Sequence, residues 1–168
     1  MRLLLDRLYA ACLWLAAAFL VLLLVMVLLG ILGRQLGFHV RGTDAYAGYF
    51  MAASGFLALA ATLKRGEHIR VALLVDRLPE PWRARVQITA LGIGVVLAAL
   101  LAWFSVRLVW QSWQFNDIST GNDATPLWIP QLAMALGTVV LAIALVDEFL
   151  TAARGGAATS LRSKSPEA

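Results

Sequence analysis

The sequence predicts an all-α integral membrane protein with four transmembrane helices, a short cytoplasmic interfacial helix and both termini in the cytoplasm. Its composition is the first reason: of 168 residues, 61% are hydrophobic and 14% are charged. A soluble domain has about 45–50% apolar and about 25% charged residues. The second reason is that the charges are concentrated in short blocks between long uncharged stretches, as a chain that crosses a bilayer requires.

Four uncharged stretches are each long enough to cross a bilayer: residues 8–33, 45–63, 86–106 and 124–146. About 20 helical residues cross a hydrocarbon core of roughly 30 Å, and backbone groups in lipid must bond within their own segment. The sequence therefore predicts helices at about 8–33, 45–63, 86–108 and 126–148, with Pro126 at the start of the last. We expect residues 1–153 to form one membrane domain and residues 154–168 a flexible cytoplasmic tail.

The distribution of Lys and Arg predicts the orientation. With the N-terminus inside, eleven of the fourteen basic residues lie on the cytoplasmic side, and only Arg34, Arg41 and Arg107 lie outside. Cytoplasmic loops carry such an excess of positive charge. A cleaved signal peptide is the weaker alternative for the first stretch, because its apolar run continues far beyond the usual length. We therefore attribute the net charge of +4 to topology and lipid headgroups rather than to nucleic-acid binding.

Tryptophans favour the headgroup layer of a membrane because their rings have both an apolar body and a polar N–H group. We interpret five of them as interface anchors, with a binding cage as the alternative: Trp82, Trp103, Trp110, Trp113 and Trp128.

The segment between the second and third stretches is predicted to form a helix on the cytoplasmic membrane surface, over about residues 67–78. Its apolar residues Val71, Leu74, Val75 and Leu78 share one helical stripe, and the segment is too charged to span. An ordinary polar loop is the alternative. Candidate contacts here with a partner or lipid are Lys64, Arg65, His68 and Arg70.

Two further groups are candidate contacts. Gly48, Ala52 and Gly55 share one helical face, which suits close packing either inside the bundle or against another subunit. Arg34, Arg41 and Asp44 flank the first two stretches and are candidates for an outer partner or a lipid phosphate. For all the charged candidates, a role in topology and headgroup contact alone is the competing interpretation.

The sequence shows no motif that is typical of catalysis, nucleotide binding or an ion pathway. No span has a charge at its centre, as proton relays and ion paths usually do, and there is no P-loop, dinucleotide motif or catalytic set. The lone cysteine, Cys12, lies in an apolar run and is expected to be a buried small residue. We predict a non-enzyme without a metal or cofactor of its own.

Three segments resemble the small membrane subunit (DctQ-like) of the tripartite ATP-independent periplasmic (TRAP) transporters. They are residues 34–44 leading into the second span, the run ATLKRGEHIRVALLVDRLP at 61–79, and TPLWIPQLAMALG at 125–137. The string from Gly66 to Val71 is the most specific part, and the resemblance covers about residues 5–150. Ala45 and Ala72 stand where that family commonly has acidic residues.

The resemblance implies a scaffold subunit in the bacterial inner membrane. Such subunits support a large multi-span permease of the elevator type, which holds the sodium and substrate sites, and a periplasmic binding protein delivers an organic acid. The alternative is a self-contained homo-oligomeric transporter or channel, and a membrane enzyme is less favoured still.

The orientation is testable with reporter fusions. A fusion after Ala168 is expected to be active only for a reporter that works in the cytoplasm, and a fusion at Asp117 only for a periplasmic one, because the positive charges hold their loops inside. The reverse pattern of activities would show that both termini lie outside.

Overall fold

The structure is a computed structural model that describes residues 2–38, 40–64, 79–121 and 123–153. These residues form four helices: α1 (Arg2–Leu36), α2 (Thr43–Lys64), α3 (Glu80–Gln114) and α4 (Trp128–Ala153). Each is long and apolar enough to cross a membrane. The prediction of an all-α membrane protein with four long apolar helices is therefore confirmed. The predicted interfacial helix and the predicted tail lie outside the described residues.

Two helices are longer than the predicted spans. α1 and α3 have 35 residues each, or about 52 Å at 1.5 Å per residue. Both exceed a hydrocarbon core of roughly 30 Å, so they tilt in the bilayer or project from it. The uncharged run marks only the part that suits lipid, whereas the helix continues until a local signal ends it.

Local signals set both ends of α3. Pro79 precedes the helix in an extended conformation, and Pro81 lies in the first turn, where a missing N–H group removes no helical bond. At the other end Asn116 is left-handed (φ 51°), and the N–H of Asp117 donates to the carbonyl of Ser112 (3.0 Å). This is a Schellman motif, which satisfies the last carbonyls of a helix.

The α3–α4 connection is ordered by its own backbone. The N–H of Ser119 donates to the carbonyl of Thr125 (2.9 Å), and Ile118 and Pro126 form an isolated antiparallel bridge. Pro126 is therefore part of this turn, and α4 begins two residues after it, at Trp128, with Pro130 in its first turn.

The helices follow the spatial order α1, α2, α4, α3. Contacts are extensive between α1 and α2, between α2 and α4, and between α4 and α3. No other pair of the described helices packs extensively, so the bundle is an open row rather than a closed ring. α2 and α4 occupy the middle and run parallel, while α1 and α3 flank them.

α2 and α4 approach each other closely where they cross at Gly137. A Cβ atom built on this glycine overlaps the backbone carbonyl of Phe56 and lies 2.9 Å from the Phe56 Cβ. Small residues surround the crossing: Ala53, Ser54, Ala60 and Ala61 on α2, and Ala135, Thr138 and Ala144 on α4, are buried. Small side chains let helix backbones approach closely in lipid, where dispersion replaces the hydrophobic effect as the main attraction.

A compact apolar cluster joins α1 to this central pair. Tyr9, Cys12 and Ala16 of α1 pack with Leu57, Ala60 and Leu63 of α2 and with Val140 and Ala144 of α4. Cys12 is buried there and forms no disulfide, as the sequence predicted. The cluster covers only the half of α1 that contains the N-terminus.

The Gly137 crossing gives a stability prediction. Gly137→Ala is expected to destabilise the chain by about 1–3 kcal/mol, because the added methyl group meets rigid backbone and forces α2 and α4 apart. The measurement is reversible unfolding in mixed detergent micelles, followed by circular dichroism.

Gly48→Ala is the matched control, since nothing lies within 4 Å of a Cβ at Gly48. It should be neutral or stabilising by up to about 1 kcal/mol through helix propensity. Equal destabilisation by the two changes would contradict the close approach at Gly137.

Candidate functional site

The row of helices has two polar ends. The loop end contains the α1–α2 connection and the α3–α4 connection, and the terminus end contains the start of α1, the end of α2, the start of α3 and the end of α4. Each end has side-chain contacts that join α2 to α4 or to the chain just before it. We describe both ends and then the lateral surface, because these are the regions that a partner or lipid can reach.

At the loop end, hydroxyl groups from α2 bind the α3–α4 connection. The Tyr49 hydroxyl donates to Asp123 Oδ2 (3.1 Å), and the Ser119 hydroxyl donates to Asp123 Oδ1 (2.8 Å). The hydroxyls of Thr125 and Tyr46 lie 3.1 Å apart and are hydrogen-bonded. Asp123 therefore ties the α3–α4 connection to the first turns of α2.

The α1–α2 connection packs against the same residue, Asp123. Gly42 is left-handed (φ 79°), and a Cβ atom there would lie 2.8 Å from the Asp123 Cβ. Both observations require glycine at this position. Two connections that are distant in sequence are thus held together at the loop end.

The electrostatics of Asp123 follow from these contacts. Partial removal of water from the carboxylate raises its pKa, but the hydrogen bonds it accepts, from Ser119 first, outweigh this effect. The net result is a pKa below the ordinary value for an aspartate. The carboxylate is therefore ionised when it accepts these bonds.

At the terminus end, Lys64 joins three helices. Its ammonium group forms an ion pair with Asp147 of α4, and it lies 4.0 Å from Glu148 Oε2. The same Nζ atom lies 5.7 Å from the centre of the Tyr9 ring on α1, a cation–π distance. Lys64, a predicted inner contact, is thus also a structural link between α1, α2 and α4.

The other predicted contacts of the inner segment, Arg65, His68 and Arg70, lie outside the described residues. At the loop end Arg34, Arg41 and Asp44 are all exposed. Arg34 and Asp44 line one cavity between the end of α1 and the start of α2, whereas Arg41 does not line it. The structure therefore brings together two of the three predicted outer residues.

The small-residue face of α2 points out of the row. Gly48, Ala52 and Gly55 are exposed, and a Cβ atom at either glycine would have nothing within 4 Å. Among the described residues, no other helix of this chain packs on this face. The face is available to lipid or to another subunit.

The predicted anchor tryptophans lie mostly on the surface of the row. Trp82, Trp103, Trp110 and Trp113 of α3 are exposed, and Trp128 at the start of α4 is half-buried. The rings of Trp110 and Trp113 lie 5.5 Å apart near the loop end, and the Arg85 guanidinium lies 5.5 Å from the Trp82 ring near the terminus end. Aromatic groups therefore mark both ends of α3.

Two of the buried hydroxyls in the described helices bond within their own helix. The Thr138 hydroxyl donates to the carbonyl of Ala135 (3.0 Å), and that of Ser105 donates to Leu101 (2.7 Å), so both bond within their own helix. The charged residues of the described helices lie near helix ends, and no group of three or more metal-ligating side chains occurs in the described part of the chain.

The architecture of four long apolar helices agrees with a match to a known family. Residues 23–155 match the model for the tripartite ATP-independent periplasmic transporters, DctQ component. The chain belongs to the DctQ family. The match runs from the middle of α1 to the end of α4 and confirms the resemblance drawn from the sequence. No individual curated protein matches the chain at a significant level.

Membership of the DctQ family identifies the chain as a multi-pass membrane component of a TRAP transporter. The family is a transporter component rather than an enzyme family, which is consistent with the absence of catalytic motifs from the sequence. A DctQ component associates with other TRAP components, so the exposed surfaces described above are where such contacts can form.

Sequence reasoning missed the contacts between distant segments. The pairing of Lys64 with Asp147 had a signal, because both residues bound uncharged stretches on the same side of the predicted topology. The hydrogen bonds of α2 with the α3–α4 connection had a weaker sequence signal: Tyr46 and Tyr49 are three residues apart and share a helix face. Neither pattern identifies its partner without the spatial order of the helices.

Asp123 predicts a pH dependence of the loop end. Its pKa is lowered in the folded protein, so its stabilising contribution is complete above the ordinary pKa of about 3.9 and is lost as the pH falls through the lower folded pKa. Hydrogen exchange at the N–H of Ser119 and Leu127 should accelerate below about pH 4 relative to the rest of the chain.

Asp123→Asn is expected to remove most of that pH dependence, since an amide does not titrate. Asp117→Asn is the control: Asp117 lies in the same connection, and its side chain is exposed. If both variants keep the acid-induced loss of protection, the role assigned to the Asp123 carboxylate is wrong.

Proposed function

We propose that this DctQ chain is a membrane-fixed scaffold subunit of a sodium-coupled importer in the bacterial inner membrane. It supports a large elevator-type permease subunit that holds the sodium and substrate sites. A periplasmic binding protein delivers the substrate, an organic acid, to the loop end. Both termini lie in the cytoplasm, and the chain itself carries no metal or cofactor.

The observation that carries this proposal is the open row of helices. In a closed four-helix bundle most apolar side chains of every helix face a common core. Here α1 and α3 each pack extensively on one neighbour only, among the described residues. Large apolar side chains stay exposed along both, for example Val21 (59%) and Leu97 (61%). An open row with broad apolar faces offers a large surface on which another membrane subunit can pack.

The hydrogen bonding of buried hydroxyls in the described helices supports placing the transport pathway in the permease rather than in this chain. Solute or ion pathways through membrane proteins are marked by charged or broken helices at mid-depth. The buried hydroxyls of Thr138 and Ser105 satisfy backbone carbonyls of their own helices. Transport of an organic acid therefore fits a different subunit, and this chain contributes position and rigidity.

Length and anchoring support a fixed role. A scaffold for a moving permease must resist being dragged through the bilayer. α1 and α3 are longer than the hydrocarbon thickness, and α3 exposes Trp82 near one end and Trp110 and Trp113 near the other. Tryptophans at both interfaces resist displacement along the membrane normal.

The outward face of Gly48, Ala52 and Gly55 is our candidate for close contact with the permease. These positions are exposed, and the two glycines have free space above them. In lipid, such a face gains dispersion energy only when another helix backbone comes close. A tight helix–helix contact with another subunit uses this surface, whereas lipid chains do not require small residues there.

The scaffold role predicts that the large permease copurifies with this chain and that substrate uptake needs both. Ala52→Leu together with Gly55→Leu should reduce the permease recovered with the tagged chain by about tenfold or more, because two bulky side chains separate the backbones. Recovery is measured by quantitative mass spectrometry, and uptake is measured in proteoliposomes.

Ala99→Leu is the matched control, since Ala99 is also exposed in the middle of a span but lies on α3. It should leave recovery unchanged. Full-rate uptake by the permease without this chain, or solute flux through this chain alone, would contradict the scaffold role. Equal recovery with all variants would remove only the proposed contact face.

A further inference from the structure

A cavity of about 240 Å³ lies between the last turns of α1 and the first turn of α2. Its walls are apolar on the α1 side, where Val27 and Ile31 are exposed to the bilayer side of the row. Phe38 and Val40 of the α1–α2 connection also line it. The cavity therefore shares Val27 and Ile31 with the exposed apolar surface of α1.

Glycines of α1 make room for this cavity. A Cβ atom at Gly33 would lie 2.7 Å from the Phe38 carbonyl oxygen, so only glycine lets the connection fold back this tightly. A Cβ at Gly30 would lie 3.4 Å from the Thr43 hydroxyl oxygen, and any larger side chain there would grow into the cavity. The cavity is a consequence of the turn rather than a gap left by loose packing.

Two opposite charges lie in the lining of the cavity. Arg34 and Asp44 both line it and both are exposed, yet they form no ion pair with each other or with any other described residue. Two such charges in one cavity lining suit a zwitterionic ligand. Its anionic group can pair with Arg34 while its cationic group pairs with Asp44.

The sequence sets the depth of these charges. Arg34 directly follows the uncharged stretch 8–33, and Asp44 directly precedes the uncharged stretch 45–63. Both therefore lie where hydrocarbon ends and the headgroup layer begins. A phospholipid fits this arrangement. Its headgroup would lie at the depth of Arg34 and Asp44, and its acyl chains would run along Val27 and Ile31 toward the centre of the bilayer.

We propose that this cavity binds the headgroup of a zwitterionic aminophospholipid of the leaflet at the loop end. The Arg34 guanidinium binds the lipid phosphate through two parallel hydrogen bonds, the bidentate geometry that suits a guanidinium and a phosphate. The Asp44 carboxylate accepts hydrogen bonds from the primary ammonium group. The acyl chains lie along the exposed apolar surface of α1.

The charge pattern distinguishes this ligand from other lipids. A glycerol headgroup has a phosphate for Arg34 but no cation for Asp44, which then repels the lipid. A choline headgroup has a cation without N–H donors, so it forms no hydrogen bond to the carboxylate. The amine-bearing lipid is the one that satisfies both residues.

The test is native mass spectrometry of the full chain, with any subunit that copurifies, from nanodiscs containing equal amounts of phosphatidylethanolamine and phosphatidylglycerol. The wild-type chain should retain the ethanolamine lipid about fivefold over the glycerol lipid, which corresponds to about 1 kcal/mol for an interfacial charge pair. Asp44→Asn should bring that ratio close to one. Arg34→Gln should reduce retention of both lipids, and Arg34→Lys should preserve most of it.

Asp117→Asn and Arg107→Gln are matched controls, because both residues are exposed in the loop half of the chain and neither lines the cavity. They should leave the ratio unchanged. Equal retention of the two lipids by the wild-type chain, or an unchanged ratio in Asp44→Asn, would overturn the proposal.

A second measurement identifies the occupant directly. With Val40 replaced by a photoreactive benzophenone amino acid, irradiation of membranes should add the mass of an ethanolamine phospholipid to the chain. Crosslinking to a polypeptide instead would show that a partner subunit fills the cavity and would overturn the proposal. Neither result bears on whether the permease copurifies, so the scaffold role is tested separately.

Discussion

The close approach of α2 and α4 at Gly137 is the constraint on which the rest of the architecture depends. In lipid, apolar side chains gain little by leaving the surrounding hydrocarbon, so helices associate where their shapes allow dense contact. Gly137 against the Phe56 backbone provides such a place, with small buried residues on either side of it. The parallel pair that results is the centre of the row, and α1 and α3 take positions on its flanks.

Polar contacts at the two ends fix the register of this central pair. Lys64 pairs with Asp147 at the terminus end, and Tyr49 donates to Asp123 just before α4 at the loop end. Together with the Gly137 crossing, these contacts hold α2 and α4 at three levels along their length. Sliding one helix past the other would break all three, so these contacts fix the register of the pair.

An open row on a rigid centre has a functional meaning for a DctQ component. Because α1 and α3 each use one face for intrachain packing, their remaining apolar surfaces are left to lipid or to other TRAP components. The α2 face of Gly48, Ala52 and Gly55 is left uncovered in the same way. The described part of the chain thus presents wide apolar lateral surfaces. The cavity with Arg34 and Asp44 adds a place where the surrounding bilayer itself is recognised.

Much of this protein was determined by the sequence alone. The four helices and the family were readable because uncharged runs of bilayer length and the inner-loop string are local patterns, which depend on neighbours in the chain. The end points of α3 had local signals too, in Pro79, Pro81 and Asn116.

The tertiary structure alone decided which helices touch. Short connections make α1 and α2, and α3 and α4, antiparallel neighbours, but no local pattern states that α2 packs on α4 through Gly137. The outward direction of the Gly48 face, the partners of Lys64 and Asp123, and the meeting of Arg34 with Asp44 at one cavity all follow from that pairing or from the fold of a turn. Periodicity shows that a helix has a face, whereas only the packed arrangement shows what that face meets.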